Sequence, residues 1–368
     1  MTIVPTRPDS LAPAFRASAG LAAAMGIGRF AFTPLLPVMI HAGRIDARAG
    51  ALIAAANYAG YLLGAVVLAR RPEWHGRNTF RVAAVALVLS EALMAWSAPP
   101  LVPAMLRLVA GVASAVVFIG CAGIAARHEN RRRAAGITFA GVGCGIALTG
   151  ALALVLGPHV SWQALWLGSA VLTAVLLAPA LALDIVPGRR ARAGTTRSVR
   201  AWRALLLAYF LEGLGYIVIG TFLVAAVGDA TLGTTLWVVV GVAAAPATVL
   251  WGVLARKRTP LRAMVFALVL QFFSALLPAL SPGAVPALVA AALFGATFMG
   301  ITMLAIEIGD DLAGAGAAAT LTAGYGLGQV LGPLVVTPVL GTSYTAAFAI
   351  AAVVLAAATG VALTIRRT

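Results

Sequence analysis

Acids, histidines and cysteines are all scarce in this chain, and each shortage removes a class of chemistry. Only 10% of the residues are charged, against 62% hydrophobic, at a mean hydropathy of +1.00. One soluble core could not hide so much apolar surface in 368 residues. The sequence therefore reads as an all-α polytopic membrane protein. The four histidines, His41, His75, His128 and His159, fall on different connectors, with no nucleophile–base pair or metal-ligand spacing beside them. No cofactor is expected, and a membrane-embedded enzyme, which would need His, Asp or Glu gathered near one face, is the weaker alternative. The two cysteines, Cys121 and Cys144, lie inside apolar segments and outline neither a disulfide framework nor a zinc site.

The acids number 11 against 26 Lys and Arg, a net charge of +15. In a soluble protein that excess would invite a nucleic-acid partner. Here the basic residues gather in short connectors between apolar runs, which is topology rather than recognition. Crossing a bilayer core of about 30 Å takes roughly 20 apolar residues per helix. By that rule the chain holds twelve spans, at 14–40, 49–69, 81–97, 101–125, 134–157, 162–185, 204–227, 233–255, 262–280, 285–306, 318–340 and 344–365. The breaks carry turn signals such as Ser97-Ala-Pro-Pro, Gly157-Pro-His, Val186-Pro-Gly, Gly228-Asp, Ser281-Pro-Gly and Gly341-Thr-Ser. The apolar run after the polar first thirteen residues is too long for a signal-peptide core, so the first helix is expected to be retained.

Twenty-two of the 26 basic residues fall in the termini or in the connectors after spans 2, 4, 6 and 8, and only Arg44 and Arg48 on the opposite side. Both termini are therefore expected in the cytoplasm of a bacterial inner-membrane protein. The connector after span 6 is the longest and most polar, and it divides the chain into an N-terminal half at 1–186, a linker at 187–203 and a C-terminal half at 204–368. Repetition supports the division. Gly26-Ile-Gly28 and Gly213-Leu-Gly215 lie 187 residues apart, Gly141-Val-Gly-Cys-Gly145 and Gly324-Tyr-Gly-Leu-Gly328 lie 183 apart, and Leu68-Ala-Arg70 and Leu254-Ala-Arg256 lie 186 apart. The chain reads as a duplicated six-helix unit. Small faces on spans 5 and 11 suit close helix packing, and a seam between the halves is their functional reading.

The first span carries Gly26-Ile-Gly-Arg-Phe-Ala-Phe-Thr-Pro-Leu-Leu-Pro37, with a lone cation, Arg29, at mid-membrane depth. Such a charge costs at least about 2.5 kcal/mol in lipid, so it should face protein or a wet cavity. The flanking glycines and prolines predict a helix that bends or opens there.

Twelve spans in two parallel halves resemble the major facilitator superfamily. Gly26 to Pro37, Asn57-Tyr-Ala-Gly-Tyr-Leu-Leu-Gly64, Arg107-Leu-Val-Ala-Gly-Val-Ala-Ser114 and Gly328-Gln-Val-Leu-Gly-Pro333 resemble its YbfB/YjiJ-type branch. The superfamily's loop after span 2 survives only as Arg70, Arg71, Gly76 and Arg77, without its usual aspartate. The resemblance implies a secondary transporter working by alternating access, with spans 1, 4, 7 and 10 lining a central cavity.

On those helices fall Arg29, Arg107, Glu212 and Glu307. Arg29 suits a carboxylate, whether on an anionic substrate or on a partner helix. Glu212, one of few acids inside a span, is the expected proton-coupling residue; the alternative is a hydrated, passive side chain. Arg29 and Glu212 are expected to face one another across the cavity, with Tyr216 as the repeat counterpart of Arg29. Arg107 is expected nearer the outer third of span 4, where snorkelling competes with function. Glu91 on span 3 either pairs with Arg107 or faces the outer interface. Asn57, Tyr58, Tyr61, Tyr216, Tyr325 and Gln329 are the uncharged cavity candidates. Arg70, Arg71 and Arg77, with Glu307, Asp310 and Asp311 in and before the connector after span 10, are the expected inner-gate charges. Met299 and Met303, at i, i+4, raise a soft-metal alternative, copper transport, although no metal site is expected. The leading reading is a monomeric, proton-coupled transporter of a small organic solute or drug-like compound.

Overall fold

A computed structural model describes residues 10–186, 198–281, 283–314, 317–340 and 344–365. The expected linker up to residue 197, Pro282, the Gly341-Thr-Ser break and the terminal Arg7, Arg366 and Arg367 lie outside the described residues. The described chain is helical, with no strand. In lipid every backbone polar group must be bonded within its own segment, and runs of Ala, Leu and Val answer with α-helix.

The helices are α1 (Ala12–Leu21), a π-helical turn (Ala22–Ile27), α2 (Phe32–His41), α3 (Ala47–Arg70), α4 (Arg77–Leu93), α5 (Leu101–Arg127), α6 (Arg131–Leu156) and α7 (Trp162–Ala180). After the inter-half connector come α8 (Val199–Phe222), α9 (Ala230–Ala244), α10 (Ala247–Lys257), α11 (Pro260–Leu280), α12 (Ala284–Ala313), α13 (Ala317–Val336) and α14 (Tyr344–Leu363). Polar caps start many of them: the carboxylate of Asp46 accepts from Ala49 N–H at 2.7 Å and that of Asp229 from Leu232 N–H at 2.6 Å. Among the described residues ten spans are long and apolar enough to cross a membrane, α1 to α2 counting as one, and the α9–α10 pair makes an eleventh. The 17-residue α4, charged at Arg77, Arg81 and Glu91, completes the twelve helical units the sequence predicts.

Two expected spans are broken. The first leaves regular helix at Gly28 to Ala31, between the π-helical turn and α2, where the chain passes through turn geometry still bonded from Gly28 N–H to the Ala23 carbonyl and from Ala31 N–H to that of Ile27, and Arg29 sits in that turn. Pro34 lacks the N–H that would have closed the next turn. The eighth bends by 44° between α9 and α10, at Ala245 and Pro246. Two boundaries need correction: α8 begins at Val199, so residues 199–203 are helix rather than linker, and α12 runs to Ala313, so Glu307, Asp310 and Asp311 lie on its last turns rather than partly in a connector.

The halves meet along α6 against α9 and α3 against α13. The repeated glycine motifs divide their work between two partners. A Cβ on Gly145 would lie 2.8 Å from the Ala22 carbonyl carbon, and one on Gly328 would lie 2.8 Å from Leu214 N, each against the first span of its own half. The middle glycines look the other way. A Cβ on Gly143 would lie 2.6 Å from the Gly241 carbonyl oxygen of α9, and one on Gly326 would lie 3.0 Å from Leu62 Cδ1 of α3. One face of each motif thus builds a half and the other forms the seam.

Beyond the bend at Pro246, α10 diverges from α6. A cleft of about 1010 Å³ opens there at the Arg-rich end, lined by Arg133, Phe139, Thr248, Arg256, Met303 and Glu307 among others. A second cleft of about 590 Å³ lies at the opposite end, between Pro34, Pro37, Gly157, Asp229 and Tyr344. Between them the side chains of Arg29, Tyr58, Tyr216 and Gln329 are buried.

Candidate functional site

The break in the first span turns Arg29 inward, where it is 3% exposed. Its Nη2 donates to Oε1 of Gln329 on α13, and Nε2 of Gln329 donates to the Tyr216 hydroxyl on α8. Arg29 and Tyr216, the repeat counterparts, thus converge on one amide. Tyr61, Tyr58 and Phe30 surround the guanidinium, with ring centroids 4.5, 5.1 and 5.6 Å from Cζ. No carboxylate comes within salt-bridge distance of it among the described residues, and its Nε has no hydrogen-bond partner.

Two further bonds tie the halves together. Thr33 Oγ1 donates to the Gly220 carbonyl at 2.6 Å, and the two residues stand 187 apart, the same separation as Gly26 and Gly213. The Tyr58 and Thr221 hydroxyls share a bond of 3.0 Å. Thr33 and Gly220, equivalent in the repeat, therefore touch across the halves. A ladder of near-parallel rings continues from there. Tyr209 and Tyr325 stack at 4.4 Å, Tyr325 and Tyr216 at 5.3 Å, and Tyr216 faces Phe298 at 6.1 Å.

Arg107 does not snorkel. It is 1% exposed, and its Nη2 donates to the Arg29 carbonyl at 2.8 Å, holding the broken segment in place. Phe32 and Trp166 flank it at 5.9 and 5.7 Å. Asn57 Nδ2 donates to the Arg107 carbonyl at 2.9 Å. Glu91 is fully buried on the Arg107 side of α4, near Thr173 of α7, without a direct bond to either.

The expected Arg29–Glu212 pair does not form. Glu212 is fully buried on the side of α8 facing α11, where Gln271 is the polar side chain beside it, and neither side chain makes a hydrogen bond. Gln329 takes the place the sequence reading gave to the acid. Thus Arg29, Asn57, Tyr58, Tyr61, Arg107, Tyr216, Tyr325 and Gln329 come together at the centre, and Glu212 lies behind the tyrosines.

The expected gate charges sit apart from this centre. Arg70, Arg71 and Arg77 are exposed at one end, and Arg71 pairs with Glu73 at 3.7 Å. Glu307 lines the Arg-rich cleft, and Asp310 and Asp311 are exposed one turn further on. Beside Arg71, His75 is buried with Nε2 3.1 Å from the Val116 carbonyl, and burial holds its pKa below the usual 6.5 against the opposing pull of that bond. Met299 is buried in the core while Met303 lines the cleft, so the pair is split between two surroundings.

Sequence reasoning passed over Thr33, Thr221, Gln271 and Trp166. Thr33 had a signal, a lone hydroxyl beside Pro34 in the stretch already singled out. Gln271 was visible as an amide within a span. Trp166 had none beyond its place in an apolar helix.

Two six-helix halves closing on a buried polar centre, with a cleft at either end, define a transporter of the major facilitator type and not an enzyme. The chain belongs to the family described as "Uncharacterised MFS-type transporter YbfB", whose model matches residues 21–367. Among solved structures it is similar to the nucleoside transporter NupG (D323A mutant), at a TM-score of 0.72 and 14% identity, over 97% of this chain and 100% of that one. That likeness shows the shared fold. No curated protein matches the sequence.

Proposed function

We propose that the protein is a monomeric secondary active transporter of the bacterial inner membrane, carrying a small organic solute by alternating access and driven by protons. The observation that carries this reading is the bridge from Arg29 through Gln329 to Tyr216, which joins the two halves at the buried centre. A bond network between moving bodies at mid-membrane is where a solute has to be exchanged from one side to the other. The N-terminal half up to residue 186 and the C-terminal half from α8 onward rock as units about the α6–α9 and α3–α13 seams. Arg29, Asn57, Tyr58, Tyr61, Arg107, Tyr216, Tyr325 and Gln329 form the solute site. The arginine distribution puts both termini in the cytoplasm. Arg70, Arg71 and Arg77, with Glu307, Asp310 and Asp311, close the cytoplasmic side when the cleft shuts.

Glu212 carries the proton. Its enclosure beside Gln271 makes its charge depend on which membrane face can reach it, the property a coupling group needs. The test is flux in proteoliposomes under an imposed pH gradient, with a broad solute library that includes nucleosides. Glu212→Gln should keep solute exchange and lose gradient-driven accumulation. Full accumulation in that variant would remove Glu212 from the role, and absence of any gradient-dependent flux in the parent would remove the transport reading.

A further inference from the structure

Two guanidinium groups are buried at the centre of this fold, and their charge is unevenly answered. Arg107 has Glu91 close enough to act on it electrostatically from α4. Arg29 has no comparable acid: Glu212 turns toward α11, and no carboxylate lies within salt-bridge distance among the described residues. What Arg29 has is a neutral acceptor, the Gln329 amide oxygen, and the ring faces of Tyr58 and Tyr61. Amides and rings offset part of the cost of a buried cation, but they do not neutralise it.

The geometry of that contact says what is missing. In a guanidinium, Nε–H and one Nη2–H point the same way and form a two-point edge that matches the two oxygens of a carboxylate. On Arg29, Nη2 is bonded to Gln329 and Nε has no partner, although the residue is 3% exposed. A one-oxygen ligand thus occupies an edge built for two. The second observation concerns shape. Beyond Gln329 the rings of Tyr216, Phe294 and Phe298 lie near-parallel, at interplanar angles of 8° to 19°, but spaced by 5.3 to 6.1 Å, looser than the 4.4 Å between Tyr209 and Tyr325. These are ordinary offset spacings that leave no room for a further ring between them, so a flat apolar body would lie against the face of one of these rings as the halves part.

Building on the reading of this centre as the transport site, we infer that the solute is a planar organic carboxylate, and that Gln329 holds its place on Arg29 in the empty protein. On binding, the carboxylate takes both Nε and Nη2 of Arg29, and the Gln329 amide, released from Arg29, keeps Tyr216 as a partner or donates Nε2 to the incoming oxygen. The ring of the solute lies against Tyr216 and its neighbours. No bond is made or broken, and the charge of Arg29 is balanced only while the solute is present.

The test uses the purified full-length protein and matched pairs of ligands that differ only at the acid: benzoate and benzamide, cinnamate and cinnamamide, indole-3-acetate and indole-3-acetamide. An aliphatic acid, hexanoate, and uridine complete the set. Thermal unfolding is measured with each, and the same compounds are offered to proteoliposomes. The aromatic acids should raise Tm by about 2 °C or more at saturation while their amides do not. Arg29→Gln should weaken that response by about tenfold or more, the loss of one charge-assisted pair. Because Arg29→Gln also removes a cation that organises the fold, Gln329→Glu serves as the second variant. It supplies the carboxylate from within, so it should unfold at a higher temperature than the parent and ignore the aromatic acids. Equal stabilisation by acid and amide, an undiminished response in either variant, or a preference for hexanoate would overturn the inference. Transport of uridine or an amide with no response to acids would overturn it while leaving a transporter. No stabilisation and no flux with any compound would overturn this inference, and no flux with the broad library either would take the transport reading with it.

Discussion

Gly143 and Gly145 sit two residues apart on α6, each against backbone, yet only Gly143 touches the other half. Gly143→Ala would place a Cβ 2.6 Å from the Gly241 carbonyl oxygen and 2.7 Å from Ala245 Cα. Restoring an ordinary contact of 3.4 Å with these atoms and with the still nearer Ala245 N means parting α6 from α9 by about 1 Å. Overpacking of that kind costs about 1–3 kcal/mol, which in a two-state equilibrium is roughly 5- to 150-fold. The cost falls only on the conformation in which the two helices touch, so the population should leave it without the protein unfolding. Gly145→Ala strains a contact inside one half, 2.8 Å from the Ala22 carbonyl carbon, and should lower Tm while leaving the conformational balance nearly unchanged. The assay is a spin–spin distance between labels at Leu156→Cys and Thr231→Cys, on the exposed ends of α6 and α9, in a background without Cys121 and Cys144. Gly143→Ala should shift weight to longer distances, and a far more stable solute complex should not be needed to see it. Identical distance distributions in the two variants would refute the assignment of one glycine to the seam and the other to the half.

Three further outcomes follow from named contacts. Thr33→Val keeps the shape of the side chain and removes the bond to Gly220; at about 0.5–1.5 kcal/mol for one hydrogen bond, the closed centre should lose roughly two- to tenfold in population, read from the same label pair. Pro246→Ala restores an N–H at the α9–α10 bend, so α10 should straighten toward α6, and maleimide labelling of Met303→Cys in the cleft should slow; unchanged labelling would mean packing, not proline, sets the 44° bend. His75 is held below its usual pKa by burial, so as pH falls through 6.5 the unfolded chain takes up a proton that the folded one refuses, and stability drops. Between about pH 7.5 and about pH 5.5, Tm should fall more in the parent than in His75→Gln, and equal falls would show that His75 is not the source.

Much of this architecture is legible in the sequence because the bilayer asks simple questions. Length and hydropathy place the spans, and Gly26 to Pro37 announces a break because two glycines, a cation and two prolines all oppose an unbroken apolar helix. What hydropathy cannot supply is direction around a helix axis. Glu212 and Tyr216 are one turn apart and differ by only about 40° in azimuth, yet one meets Gln271 of α11 and the other meets Gln329 of α13. That small angle is the difference between the expected Arg29–Glu212 pair and the observed amide bridge. The end of α12 lies further on than hydropathy suggests for another reason: Asp310 and Asp311 look like connector by composition, while their backbone continues to bond as helix.

The Gln329 amide has a kinetic meaning beyond its geometry. A carrier that must return to its starting side without cargo has to carry any binding-site charge through the closed centre with it. A bare guanidinium there would raise that barrier and confine the protein to swapping one solute for another. By accepting from Arg29 and donating to Tyr216, Gln329 gives the unloaded protein a neutral passenger of its own. That passenger satisfies a hydrogen bond of the guanidinium but not its charge, so on the reading of this centre as the transport site the unladen return is the slower step, and solute on the far side should speed it.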